Sequence, residues 1–282
     1  MSFIKIETKE DLKLLDQELI TKSILGLDTE FRRTSKENIN LSLIQVNDSI
    51  ETYLIDCISI GEYKNYCRFL FCNEVIKIFH SSREDVEAIY SWTEKKVINI
   101  FDTQLANAFL GGSYPIAYKN LVNEKFGFLI DKNETRSNWI KRPLRDSQLD
   151  YAASDVEFLI ELYVEQNKEL EEAKKIGWLF EETTHISNLI FLNERNDSLV
   201  NNIRLSKSEE EKGLSKFNQL VVNTSKKWKI NPTILFSKKN QRDFLKMMCK
   251  GSIDSSLATL PAWKSKLLEK NIRDIFKDLL KE

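Results

Sequence analysis

At 282 residues, with 41% hydrophobic and 30% charged residues and a net charge of −1, the chain has the balance of an ordinary globular protein, with room for one large and one small domain. No apolar run reaches the ~18 residues of a membrane span, and the opening MSFIKIETKEDL has no secretory core, so a cytoplasmic protein without membrane attachment is expected. Cys57, Cys67, Cys72 and Cys249 form no CxxC pair and only two histidines accompany them, which argues against a zinc site and for a reduced compartment.

Residues 24–31, ILGLDTEF, are short, apolar and rich in strand formers, and read as a buried strand. LSLIQV (41–46) and ETYLID (51–56), joined by Asn47-Asp48-Ser49-Ile50, read as a hairpin. Helical spacing comes next at 61–71, then a strand at 75–79 (VIKIF), a helix at 83–92 and a fifth strand at 97–101 (VINIF). Helices are expected at 103–110, 117–125 and 146–166, and only helical patterns after that. Hairpin strands succeeded by alternating helices and strands describe an α/β mixed sheet with helices packed on it. Ser206 with Glu209 forms a capping-box pattern, opening a segment with apolar Leu214, Phe217, Leu220 and Val221. Asn231-Pro232 and Leu260-Pro261 interrupt the helical pattern downstream of it. The expected division is an α/β domain over 1–165, a helical connector over 166–205 and a small all-α domain over 206–282. Charge divides similarly: from Lys207 onward 17 Lys/Arg stand against 9 Asp/Glu, a net of +8, leaving −9 for residues 1–206. A basic tail draws nucleic acid, or is a solvated lysine-rich surface; an acidic body can bind cations.

Asp28 and Glu30, two apart on the first of these strands, leave the same face of an otherwise apolar segment. Such a pair is costly unless a cation lies between them, and Mg²⁺ favours hard oxygen ligands; the alternative is a strand end whose carboxylates reach solvent or pair with Arg32 or Arg33. Tyr151 and Asp155 are four apart in a helical pattern and share a face across Ala152, Ala153 and Ser154; the plain alternative is a core aromatic and a surface acid. Asp85 opens the helix after VIKIF, where an acid suits the helix dipole, while Asp102, at the end of VINIF, competes as third carboxylate.

In order and spacing, Asp28, Glu30, Asp85, Tyr151 and Asp155 resemble the ribonuclease D family of DEDD 3′-5′ exonucleases, with tyrosine in the last motif. The matching stretches are LDTEF (27–31), HSSREDVEAI (80–89), FDTQLANAFLG (101–111) and RSNWIKRPLRDSQLDYAASDVEFL (136–159). The resemblance implies a ribonuclease H-like fold that holds two divalent ions, Mg²⁺ or Mn²⁺, on Asp28, Glu30, Asp85 and Asp155. It implies that Tyr151 orients the attacking water, and that nucleoside 5′-monophosphates leave stepwise from a free RNA 3′ end, transfer-RNA precursors being the family's substrates. His80, five before Asp85, falls in the middle motif and is expected to be structural or beside the substrate. Gln104 and Tyr118 are expected to contact the terminal nucleotide and Arg142, with Lys141 and Arg145, the backbone phosphates; Trp139 is expected in the core. The tail resembles an HRDC module, of which this chain has room for one, with Lys226, Lys227, Lys229, Lys238 and Lys239 as sequence-independent phosphate contacts. A monomer without an obligate protein partner is expected. Two competing functions are a DNA 3′-5′ exonuclease and a non-catalytic RNA-binding adaptor.

Overall fold

The computed structural model describes residues 2–35, 38–61, 66–130, 134, 137–192 and 203–280. These form two compact units, one of Met1–Ala106 with Pro115–Leu192, the other of Asn107–Tyr114 with Asn193–Glu282. In chain order the elements are β1 (Ile4–Ile6), α1 (Lys9–Leu19), β2 (Ile24–Arg33), β3 (Ile39–Asn47), β4 (Thr52–Asp56) and α2 (Cys57–Ile60). A 3-10 turn (Arg68–Leu70), β5 (Ile76–Phe79), α3 (Arg83–Thr93), β6 (Ile100–Asp102) and α4 (Thr103–Phe109) come after these. Then come α5 (Tyr118–Phe126), α6 (Asp146–Ser154), α7 (Leu159–Glu172) and α8 (Ile176–Leu192). No helix among the described residues is long and apolar enough to cross a membrane.

The first unit is built on a six-stranded sheet in the order β1-β4-β3-β2-β5-β6. Only β3 runs against its neighbours; β1 with β4, β2 with β5 and β5 with β6 are parallel. The hairpin of β3 and β4 turns where expected, with Asp48 Oδ1 accepting from the backbone N–H groups of Ile50 and Glu51. β2 is long because the alternation of Leu25, Leu27 and Thr29 buries one face continuously. β2 meets β5 only through Ile24–Gly26, so beyond Gly26 it parts from β5 while still pairing with β3. The sheet opens at that point, on the carboxyl side of its parallel strands, where α/β folds gather their sites.

Several expectations are corrected. Of the helix expected at 61–71, residues 62–65 lie outside the described residues, and the described part holds only the 3-10 turn of Arg68–Leu70. The strand at 97–101 is confined to Ile100–Asp102 because Asn99 adopts a left-handed φ of 55°, its amide donating to the carbonyls of Asn73 and Val75. The helix at 146–166 breaks at residues 155–158 into α6 and α7. Of the connector, 193–202 lies outside the described residues. β1 and α1 were not expected, although Thr8 caps Asp11 N–H and Leu12, Leu15 and Leu19 bury one face of α1.

The second unit contains α9 (Lys207–Trp228), α10 (Pro232–Phe236), α11 (Lys238–Lys250), α12 (Ile253–Leu257) and α13 (Ala262–Leu280) among its described residues. The Ser206/Glu209 box caps α9 as its spacing predicts. Phe217 is the hub of the core, its ring 5.0 Å from Phe236, 6.1 Å from Phe244 and 5.6 Å from Phe276. Residues 107–114 are part of this unit. Phe109 packs edge-on to Trp263 at 4.9 Å, and Asn231 donates from its backbone to Ala108 O and from its side chain to Gly112 O.

Candidate active site

Gly26 sets the approach of the helices to β2. A Cβ there would lie 3.1 Å from Leu159 Cβ and 3.5 Å from Val156 O, so its absence lets the α6–α7 break rest on the strand. That break carries Asp155, the C-cap of α6, to the face from which Asp28 and Glu30 emerge. Ligand oxygens of Asp28, Glu30 and Asp155 all lie within 4.8 Å of one another. Three half-buried carboxylates converging this closely form a hard-oxygen donor set that fits a divalent cation. Neither arginine alternative explains them: Arg33 pairs with Glu87 at 2.6 Å, and the charges acting on Glu30 are the carboxylates of Asp155 and Asp85.

Asp85, in the first turn of α3, is not one of the three carboxylates that converge within 4.8 Å, but its charge acts on both Asp28 and Glu30. Thr29, which alternation turns away from Asp28 and Glu30, donates its hydroxyl to Asp85 Oδ1 at 2.6 Å and fixes that carboxylate. Thr29 was not singled out from the sequence, though its place between Asp28 and Glu30 is the signal. The two competing acids differ in what they bond. Asp102 is spent on scaffold: Oδ1 accepts from the backbone of Ser81, Gln104 and Leu105, and Oδ2 from Ser82 N and Oγ. It joins the start of α4 to the loop that precedes α3. His80 is likewise structural, with Nδ1 2.9 Å from Thr103 Oγ1 and Nε2 2.8 Å from Ile116 O. Burial holds its pKa below the ordinary value.

Tyr151 lies one turn before Asp155, whose N–H donates to its carbonyl, and packs 6.0 Å from the ring of Trp139, a core residue as expected. Tyr118 accepts from Phe158 N at 2.9 Å, and Gln104 donates to Ile116 O at 2.8 Å. Arg142 differs from its expected role. Its guanidinium grips Asp56 with Nε and Nη2 at 2.6 and 2.7 Å and also bonds the carbonyls of Trp139 and Ser42, so phosphate contact is replaced by a scaffold lock. A register shift between Glu30 and Phe31 leaves Ser42 outside the β2–β3 ladder and open to this lock. Lys226, Lys227, Lys229, Lys238 and Lys239 are all exposed in the helical unit, at the end of α9 and the start of α11.

Burial and mutual repulsion raise the carboxyl pKa values. Asp28 is well above the usual range through burial and the charges of Asp85, Asp155 and Glu30. Burial, with Asp155 and Asp85, lifts Glu30 from 4.5 to about 9, and burial lifts Asp85 from 3.8 to about 7 against the Thr29 hydrogen bond. Between the ordinary and the raised values the folded protein binds more protons than the unfolded chain, so this contribution to stability is full at low pH and lost as pH rises through 7 and 9. In EDTA, Tm is expected to fall across that window and Mn²⁺ to restore it more at pH 8 than at pH 5. Glu30→Gln flattens both effects if the cluster causes them; the same slope in this variant would place the cause elsewhere.

A family model described as a 3′-5′ exonuclease matches residues 3–171. Ribonuclease D of Shewanella sp. (strain ANA-3) is 34% identical over 180 residues, which are 64% of this chain and 46% of that protein. The chain thus matches a little under half the length of this relative. Among solved structures, the Escherichia coli RNase D described as an exoribonuclease involved in structured RNA processing aligns with a TM-score of 0.65 at 22% identity, over 99% of this chain and 75% of that one. Brucella melitensis NrnC with bound Mg²⁺ aligns at 0.58 and 19% identity, over 72% of this chain and 98% of that one. At these identities the two structures are alike in fold.

Proposed function

This chain belongs to the 3′-5′ exonuclease family, and from that membership we propose that it is a divalent-metal-dependent 3′-5′ exoribonuclease of the ribonuclease D type. The observation that carries the proposal is the convergence of Asp28, Glu30 and Asp155 within 4.8 Å on such a domain. The 34% identity to a ribonuclease D favours RNA over DNA as substrate. Transfer-RNA precursors with 3′ extensions are the proposed substrates, trimmed in the cytoplasm by a monomer.

Two divalent ions, Mg²⁺ or Mn²⁺, bound by Asp28, Glu30, Asp85 and Asp155, would supply Lewis acidity for attack of water on phosphorus and for departure of the 3′ oxygen. The chain's own residues do the rest. Thr29 and the first turn of α3 hold Asp85 in place; the Gly26 approach holds Asp155. Tyr151 orients the attacking water through its hydroxyl, and the P–O bond that breaks releases a nucleoside 5′-monophosphate. Gln104 and Tyr118 line the terminal nucleotide. An HRDC-like helical unit holds the RNA body through Lys226, Lys227, Lys229, Lys238 and Lys239.

The test is a time course on 5′-labelled RNA and DNA strands of one sequence with 3′ extensions, in Mg²⁺, Mn²⁺ or EDTA. A metal-dependent ladder shortening from the RNA 3′ end is expected. A ladder on DNA alone would make the protein a DNA exonuclease, and none on either would make it a binding adaptor. In the same assay Tyr151→Phe should lower kcat by roughly 10²-fold, as loss of positioned proton chemistry does, with RNA binding little changed; a parental rate would remove its role. Charge reversal at Lys226 and Lys227 should weaken RNA binding and reduce the slope of log K against log salt by about 2 or more, since each cation that meets a phosphate adds roughly one to the slope. An unchanged slope would mean that these lysines meet solvent only.

A further inference from the structure

Gln45, in the middle of β3, pairs directly with Asp28 on one side and Leu54 on the other. Opposed residues of antiparallel strands share a face, with Cβ atoms about 4.5–5.5 Å apart. Gln45 therefore stands beside Asp28 on the face of Glu30 and Leu43, in the layer where Leu43, Leu54, Trp139, Leu149 and Ala152 form a core cluster. Its exposure is 0%, and neither Nε2 nor Oε1 has a hydrogen-bond partner.

A fully buried amide with both ends unmet is costly, and native proteins keep such groups where another demand holds them. Leu41, Leu43, Ile44 and Val46 make the strand around Gln45 apolar, and a leucine there would bury as well without that cost. The polar group set beside it by strand register is the Asp28 carboxylate. Within the layer, Trp139 Nε1 is a second buried donor without a partner, matched in chemistry to Gln45 Oε1.

We propose that Gln45 is a positioning residue of the cation site: its Nε2, without a partner here, donates to the Asp28 carboxylate when a cation is bound and holds it in the orientation that shares that ion with Glu30 and Asp155. The inference rests on those carboxylates being a cation site. A ligating carboxylate is free to rotate about its own bond, and an outer hydrogen bond takes up one oxygen so that the other stays aimed at the ion. Gln45 touches neither RNA nor water in this role, so its effect travels only through Asp28.

The experiment is a Mn²⁺ titration of the full chain followed by Tm without RNA, for the parent, Gln45→Leu and Asp28→Asn. For Gln45→Leu the Tm in EDTA should equal or exceed that of the parent, since an unmet amide is removed. Its apparent Kd for Mn²⁺ should rise by roughly 10–100-fold, the usual loss when an outer-shell partner of a metal ligand is removed. Its KM for RNA should hold while kcat at fixed Mn²⁺ falls and recovers with added metal. An unchanged Mn²⁺ affinity overturns the proposal, and a lowered Tm in EDTA with unchanged affinity shows a merely structural amide. If the leucine variant does not fold, Gln45→Met, of the same length, answers the same question. A parent without a Mn²⁺-dependent Tm shift would overturn the cation site itself, and the proposal with it; a parental shift kept in Gln45→Leu overturns the proposal alone.

Discussion

Asp28→Asn is expected to lower kcat by about 10³-fold or more while leaving the chain folded. Asparagine matches aspartate in shape but brings no charge to the cluster of Glu30 and Asp155. Lewis-acid stabilisation is worth several kcal/mol, and each ~1.36 kcal/mol is a factor of ten in rate. The same substitution should make the metal-free protein more heat-stable, because burial and three neighbouring carboxylates raise the Asp28 pKa and oppose its charge. Steady-state kinetics on 3′-extended RNA, with melting curves in EDTA, check both halves. Turnover within tenfold of the parent would remove Asp28 from the site, whatever its melting behaviour.

The largest loss of stability is expected at Asp56→Ala. Asp56 is buried, takes two hydrogen bonds from Arg142 and accepts from the backbone of Ile58 and Ser59, capping α2. Its removal takes the paired carboxylate from a guanidinium whose side chain is only 21% exposed. Breaking a buried pair from one side costs about 3–5 kcal/mol, a fall of roughly 6–20 °C in Tm for a unit of this size. Replacing both partners, Asp56→Ala with Arg142→Met, should recover part of the loss because no buried charge is stranded. Equal melting of parent and Asp56→Ala would show that the pair contributes nothing net.

These two residues mark what sequence alone discloses about the molecule. Asp28 and Glu30 were legible because alternation in a strand is strict: two carboxylates two apart must share a face, and an apolar strand cannot bury both cheaply. That Tyr151 and Asp155 share one helical turn was legible from their spacing even though the helix ends between 154 and 155, since the last α6 hydrogen bond still joins them. Arg142 was misjudged for a different reason. Its partner Asp56 lies 86 residues away, and no local pattern distinguishes a guanidinium that meets a phosphate from one that meets a distant carboxylate. Asp85 and Asp102 also look alike locally, each an acid near a strand's carboxyl end. Only the five donors converging on Asp102 separate them. β1 was lost because three residues are too few for a periodic signal, and the strand at 97–101 was overextended because the left-handed φ of Asn99 leaves no mark in hydropathy.

The assignment of residues 107–114 to the helical unit has a consequence for how the protein can be divided. The polypeptide leaves the sheet-bearing unit within α4, returns at Pro115 and leaves again beyond Leu192, so the helical unit is sewn in by a loop as well as appended at an end. No single cut frees it. Truncation after residue 192 would strip Phe109 of Trp263 and the Ala108 carbonyl of Asn231, turning a core segment into an exposed apolar loop. Proteolysis is therefore expected to trim such a product further near α4, so a stable fragment needs both stretches of the chain kept together.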